Sequence, residues 1–483
     1  MNHRFRPSER QRRLAGRAAL STALAIALAI ALGAGASSMA FAQTPPPADA
    51  APATAAAVDP VAVDPVAAAQ SVLDAMDAGD FAGVHARFDA TMAAAVSADQ
   101  LKQLWTALPS QLGASKGRGE PRSAERGGTR IVVVPLRFER ATLDASLAFE
   151  ADGRISGFLI RPAAAAPVPA PPPPADAHYR EIDVAVGEGA DALPATLALP
   201  LEKGRLPVVV LVHGSGPHDC DETVGPNRPF LDLARGLAER GIAVLRYEKR
   251  TKAHPEQFAD GGTIDRETTD DAVQAVAMLR ARADIDPKRI FVLGHSQGGL
   301  MAPRIGARDP KIAGLILLAA PSRPVLDLLL EQNKRMAVLD DGRTSDAEAA
   351  AIAKIAAQIA AVRRGDDVTG ADAPMGVPAS YWRTLEAVDP VAEAHATKQP
   401  LLFLQGGNDL QVVDADWQGW RNAFHDDPRA TFKLYDDLTH LAIPGEGSVK
   451  DYETPGHVAP ALIDDIAAWI RATVPAAPKK KPQ

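Results

Sequence analysis

The chain predicts an α/β protein: a mostly parallel sheet covered on both faces, carrying a helical cap insertion and preceded by a small α+β domain. Three observations carry this reading. Over residues 178–474, short apolar runs alternate with stretches of helical period. Several runs, such as Val208 to Val212 and Ile312 to Ala319, are apolar throughout, as strands buried on both faces must be. From Ala320 to Lys398 the alternation stops and amphipathic helices take over, beginning with Pro324 to Leu339 and Asp346 to Val362.

Taken in order, residues 1–42 read as a cleaved signal peptide. Six arginines between Arg4 and Arg17 precede an apolar run, Ala18 to Leu32, and Ala40-Phe41-Ala42 has the small-x-small form of a processing site. The expected location is therefore periplasmic or secreted, with no membrane span after signal removal. Arg12-Arg13 leaves both general and twin-arginine export open. Residues 43–65, rich in Ala and Pro, read as a disordered leader, and 475–483, with Lys479 to Lys481, as a disordered tail.

Residues 66–162 form the small α+β domain. Apolar residues sit at helical spacing over Val66 to Ala82 and His85 to Val96. Ser97 and Gln100 cap a helix over Leu101 to Leu108, with Pro109 as its stop. Thr129 to Arg137, Arg140 to Glu150 and Arg154 to Ile160 read as strands, the last two joined by Asp152-Gly153. Residues 163–177, with Pro171 to Pro174, are a polyproline-type linker.

Within 178–474, Tyr179 to Val186 and Leu193 to Leu199 open the sheet. Val208 to Val212, Ile242 to Tyr247, Ile290 to Leu293, Ile312 to Ala319, Leu401 to Leu404 and Thr431 to Leu434 continue it. Phe230 to Arg240, Glu267 to Ala283 and His457 to Thr473 are helices. A net charge of −8 and the absence of a basic stripe with interleaved aromatics argue against nucleic acid as a partner. A single cysteine, Cys220, excludes an intrachain disulfide.

The chemistry centres on Gly294-His295-Ser296-Gln297-Gly298, a G-x-S-x-G between a predicted strand and a predicted helix. A serine at such a turn sits in strained backbone, its flanking glycines leave room for the turn, and the helix N-terminus points free N–H groups at negative charge. His218-Asp219-Cys220-Asp221 holds metal-ligand types, but no partner set accompanies it. It reads as a polar loop bonded to Arg246 to Arg250, and no metal or cofactor is expected.

Residues 178–474 resemble the α/β-hydrolase superfamily, in its bacterial esterase and serine-peptidase-like branch. The likeness rests on Gly294 to Gly298, His213-Gly214-Ser215-Gly216-Pro217, Asn227, Gly406-Gly407-Asn408-Asp409 with Val412, Leu438 to Gly447 and Pro455 to Val458. It implies the α/β-hydrolase fold with a cap at about 320–398 and a triad of Ser296, Asp409 and His440. The oxyanion donors it implies are the backbone N–H groups of Gln297 and Ser215. Asp414, Asp416, Asp436, Asp437 and Asp327 are rival acids, and His457 and His425 rival bases. His213 and His295 read as structural. Residues 66–162 resemble a small bacterial domain of unknown function found ahead of such hydrolases, through Asp77 to Phe81, Leu104-Trp105 and Asp152 to Ile155 with Phe158.

The resemblance implies a serine esterase cleaving short to medium acyl esters through an acyl-enzyme, with a small-molecule ester as partner. An exopeptidase, with Glu331, Glu348 or Glu386 holding the substrate amine, and an inactive binding protein are the alternatives. Oligomeric state is not readable.

Overall fold

A computed structural model describes residues 64–126, 129–163, 170–258, 261–339 and 342–474. The expected signal peptide, nearly all of the leader, residues 164–169 of the linker and the tail lie outside these. The chain divides into two compact units at Ala170/Pro171.

In the first unit, helices Pro65–Asp77, Phe81–His85, Ala90–Ala95 and Ala98–Leu112 precede a five-stranded sheet. The strands are β1 (Ser115–Arg118), β2 (Arg122–Arg126), β3 (Thr129–Phe138), β4 (Thr142–Phe149) and β5 (Ile155–Pro162), all paired antiparallel. Val72, Leu73 and Met76 of the first helix pack against Val132, Val134, Ala145 and Leu147 of the sheet. Asp64, Asp80, Asp89 and Ser97 each cap a helix through the side chain, typically worth about 1 kcal/mol apiece.

Three sequence expectations fail here. The helix expected over His85 to Val96 is broken: Phe81–His85 and Ala90–Ala95 are separate, and Phe88 between them bridges to Ile155. Pro109 does not stop its helix, which runs on to Leu112 and ends at Gly113, at φ 81°. Pro109 gives up its own N–H bond and crowds the carbonyl four residues back, but the residues after it can still bond to the turn before, and Gly113 ends the helix at positive φ. Strands β1 and β2 were not expected, because Ser115-Lys116-Gly117-Arg118 and Arg122 to Arg126 carry no apolar alternation; both pair along one edge of β3.

The second unit holds an eight-stranded sheet. Its strands are β6 (Tyr179–Val186), β7 (Leu193–Pro200), β8 (Leu206–Val212), β9 (Ala243–Tyr247), β10 (Ile285–His295), β11 (Gly314–Leu318), β12 (Leu401–Gly406) and β13 (Ala430–Tyr435). Their order is β13-β12-β11-β10-β8-β9-β7-β6. Pairs from β13 to β9 are parallel, and β7 and β6 are antiparallel. Alternation along β8 shows why its residues are all apolar. Val208, Val210 and Val212 join one core and Val209 and Leu211 the other. Helices Asp270–Ala281, Gln297–Arg308 and Asp414–Phe424 cover the first face, and Pro229–Glu239 and Pro460–Thr473 the second. Full burial of one such valine contributes about 1.5–3 kcal/mol.

Strand β10 passes through Asp286-Pro287 with a bulge between Ile285 and Ile290. A bulge absorbs residues that cannot pair, and a proline has no N–H to give. The helix expected from Glu267 begins as a π-turn, Asp265–Thr269.

The insertion contains helices Val325–Met336, Asp346–Arg364, Ala379–Glu386 and Pro390–Ala396. Leu326, Leu329, Ile359, Tyr381, Trp382 and Leu385 form one core with Leu300 and Met301, from the helix that follows Ser296. Arg363 ties Asp327 to Glu386, and at the root Arg323 grips the fully buried Asp416. The last of the four helices joins the sheet-covering layer through Arg304–Glu393. Among the described residues no helix is long and apolar enough to cross a membrane.

Candidate active site

A parallel sheet carries its loops to one end, and the expected residues stand there: Gly214 and Ser215 after β8, Ser296 after β10, Asp409 after β12 and His440 after β13. Ser296 adopts φ 53°, ψ −118°, in the left-handed half of backbone space. Its N–H bonds Leu318 O at 2.9 Å, and its carbonyl accepts from Leu300 N at 3.0 Å. The turn has no room for side chains beside it. A Cβ on Gly294 would lie 2.0 Å from Gly298 O, and one on Gly298 2.2 Å from Val212 O.

Asp409 and His440 meet at 2.8 Å through Oδ2 and Nδ1, both side chains nearly fully buried. Three further donors converge on the carboxylate. Gln411 N and Val412 N reach Oδ1 at 2.8 and 2.9 Å, and Gln405 Nε2 reaches Oδ2 at 3.1 Å. Asn408 stitches the acid loop to the histidine loop, its N–H on Leu438 O and its Nδ2 on Gly445 O. Ser296 and His440 line one narrow cleft of about 20 Å³ with Gly214, Ser215, His218, Glu222, Val224, His295, Gln411, Leu441 and Tyr452. That is room for about one water. Gln297 begins the helix Gln297–Arg308, so its backbone N–H belongs to the first turn, where no intrahelical acceptor exists.

Four of the rival residues are engaged elsewhere. Asp416 holds Arg323 and Ser322 N, and Asp327 holds Arg363. His457 is exposed and bonds Asp232; His425, also exposed, pairs with Asp426. The polar loop does reach the Arg246 to Arg250 segment: Asp221 takes Arg246 Nε at 2.8 Å and His218 O takes Lys249 N at 3.0 Å. His218 itself bonds Ser215 O, and His213 bonds Asp219 O.

Sequence reasoning missed Glu222. It lies 1% exposed at φ 51°, accepts Gly214 N–H at 2.6 Å, and meets His295 Nδ1 at 2.9 Å, an ion-pair contact whose angle falls outside hydrogen-bond geometry. The other ring nitrogen of His295 faces His440 O at 2.9 Å. A carboxylate beside one ring nitrogen and a carbonyl at the other favour the imidazolium. Burial alone would raise the Glu222 carboxyl, but the charge of His295 reverses this and holds it at about 2. Burial pulls His295 down, and Glu222 with the His440 carbonyl more than restores it, so its pKa is raised. Burial leaves His213, by contrast, lowered to about 3.

A pH dependence of stability follows. The Glu222 contribution is in force above its ordinary 4.5 and is lost as pH falls toward 2. The His295 contribution is in force below its ordinary 6.5 and is lost as pH rises through the raised value. Both operate between 4.5 and 6.5, so the destabilisation by Glu222→Gln is expected to peak there, at about 3–5 kcal/mol, and to shrink on either side. Denaturant melts of both proteins across about pH 3–9 measure it; a gap independent of pH would remove the ion pair from the account.

Residues 205–446 match a family model described as serine aminopeptidase, S33, and residues 69–158 one described as a protein of unknown function (DUF3887). Esterase EstD of Thermotoga maritima is 32% identical over 382 residues, covering 78% of this chain and 88% of that protein. Among solved structures, Est1E of Butyrivibrio proteoclasticus aligns at TM-score 0.39 and 16% identity, over 60% of this chain and 96% of its own. A puromycin-hydrolysing peptidase of Mycobacterium tuberculosis aligns at 0.41 and 19%, over 74% and 48%. At these scores the solved structures do not bear on substrate.

Proposed function

The chain belongs to the S33 family of α/β-hydrolases, and from that membership we propose that it is a serine carboxylesterase for short to medium acyl chains. One observation carries the reading: Ser296 and His440 share a single cleft, and His440 is held from behind by Asp409.

With Nδ1–H given to Asp409, the His440 ring has Nε2 as its basic nitrogen. Nε2 takes the Ser296 proton as Oγ attacks the ester carbonyl, and Asp409 stabilises the imidazolium that forms. The N–H groups of Gln297 and Ser215 receive the oxyanion. His440 then protonates the departing alcohol, and water, activated by the same ring, releases the acid.

A peptidase would need a carboxylate offered to the substrate amine. The three glutamates considered for this are already committed. Glu331 binds Arg323 and Arg335, Glu386 binds Arg363 and Leu326 N, and Glu348 caps its own helix with Ser345. The test is hydrolysis of p-nitrophenyl acetate, butyrate and octanoate beside aminoacyl-p-nitroanilides. The esters are expected to turn over, fastest for acetate or butyrate, and the anilides not. Anilide turnover would move the assignment to a peptidase. Failure of a fluorophosphonate to label Ser296 in folded protein would leave the inactive binding protein.

A further inference from the structure

We propose that Lys249 is a positioning residue of the oxyanion hole, and that the cap acts on it through Tyr381 and Glu267. The inference rests on reading the Ser215 N–H as an oxyanion donor.

The Gly214 carbonyl and the Ser215 N–H belong to one peptide plane. Lys249 Nζ donates to Gly214 O at 2.7 Å. In a trans peptide the C=O and N–H point to opposite sides, so a plane pinned at its oxygen has a fixed N–H direction. A cation on that oxygen also draws electron density from the nitrogen and makes the N–H a stronger donor, most effectively where water is excluded. On the preceding peptide, Glu222 Oε1 takes Gly214 N–H at 2.6 Å. Ionised side chains thus grip both groups of Gly214, directly before the proposed donor.

Lys249 is 2% exposed, and Glu267, 2.6 Å from its Nζ, is 5% exposed. Burying such a pair costs several kcal/mol per ion, and well-packed apolar residues of similar volume often serve stability as well or better. Stability alone therefore does not account for a lysine here. Its other neighbour, the Gly214 carbonyl, does.

The pair is also tied to the cap. Tyr381, on the cap helix Ala379–Glu386, donates its hydroxyl to Glu267 Oε2, the oxygen not facing Lys249. Its ring and those of its neighbours lie in the cap core. Tyr381 thus shares the Glu267 charge with Lys249. Without the hydroxyl, Glu267 pulls harder on Nζ and competes better with the Gly214 carbonyl. The side chain of Gln297, the residue of the other proposed oxyanion donor, bears on the same hydroxyl, although its Nε2 makes no hydrogen bond of ordinary geometry.

The experiment compares full-length wild type with Tyr381→Phe, Lys249→Met and the double variant. It measures kcat and KM for p-nitrophenyl acetate and Ki for an alkyl trifluoromethyl ketone, whose serine adduct places an oxyanion in the hole. Lys249→Met is expected to lower kcat by on the order of 100-fold with KM unchanged, and to raise Ki by a similar factor. Tyr381→Phe should lower kcat by roughly 5- to 10-fold, and the double variant should match Lys249→Met, because Tyr381 acts only through Lys249. Should Lys249→Met fail to fold, with Glu267 left unpaired, Lys249→Met/Glu267→Gln removes the orphan charge and carries the same expectation. Unchanged kcat and Ki, a change in KM alone, or multiplicative effects in the double variant would overturn the proposal. Those outcomes count only with wild type that a fluorophosphonate labels at Ser296; wild type left unlabelled would sink the underlying esterase reading instead.

Discussion

Ser296→Ala is expected to lower kcat for p-nitrophenyl butyrate by on the order of 10⁶-fold, with His440→Ala close behind and the double variant no worse than either. The reason is that the residues act as a unit. A hydroxyl without a base does not attack at neutral pH, and a base without a hydroxyl has only water to activate. Asp409→Asn keeps the shape of the buried contact with His440 Nδ1 but favours the wrong tautomer, and should cost about 10⁴-fold. Turnover by purified variants, corrected for wild-type contamination by active-site titration, checks the set. Residual activity of a few per cent in Ser296→Ala would mean that the ester is being cleaved elsewhere.

Gly298→Ala carries the second large effect, on stability and activity together. Its new Cβ would lie 2.2 Å from Val212 O and 2.6 Å from His213 O, both backbone atoms at the end of β8. Backbone cannot swing aside as a long side chain can, so either β8 or the helix Gln297–Arg308 must shift. Overpacking of this kind typically costs about 1–3 kcal/mol, and a clash this deep belongs at or beyond the top of that range. The shift also moves Ser296 relative to the loop at Gly214, so kcat should fall by at least about 100-fold, since misplacement by about 1 Å costs that much. Gly153→Ala is the control: a Cβ there meets nothing within 4 Å, and only the left-handed backbone, at φ 82°, resists it. Chemical denaturation and ester turnover of the two variants decide the point. Equal losses in both would mean that the crowding at Gly298 is relieved without consequence.

Strand positions in the second unit were legible because burial on both faces forces unbroken apolar runs, and Val208 to Val212 is an instance. The candidate residues Ser296, Asp409 and His440 were picked out by a different signal: each follows such a run, and the family pattern orders them. What stayed hidden was charge buried against charge at long range. Glu222 reads as one more acid in a polar loop, and only the fold brings it to His295. Lys249 and Glu267 carry no spacing signal either; Glu267 reads as the start of a helix, while the π-turn Asp265–Thr269 contains it. In the first unit the limit was set by edge strands. β1 and β2 gain their order from pairing with β3, not from any apolar face of their own. Pro109 misled because a proline inside a helix costs a hydrogen bond and crowds the carbonyl four residues before it without forbidding a further turn.

The span between His295 and His440, 145 residues of sequence, has a consequence for the order in which activity is acquired. The strand that leads to Ser296 lies mid-sheet, whereas the loop carrying His440 follows β13, the strand at the far edge. Contacts this distant in sequence form late in folding, after the loop-closure entropy has been met. A growing or truncated chain that stops short of β13 therefore lacks the His440 that lines the cleft with Ser296.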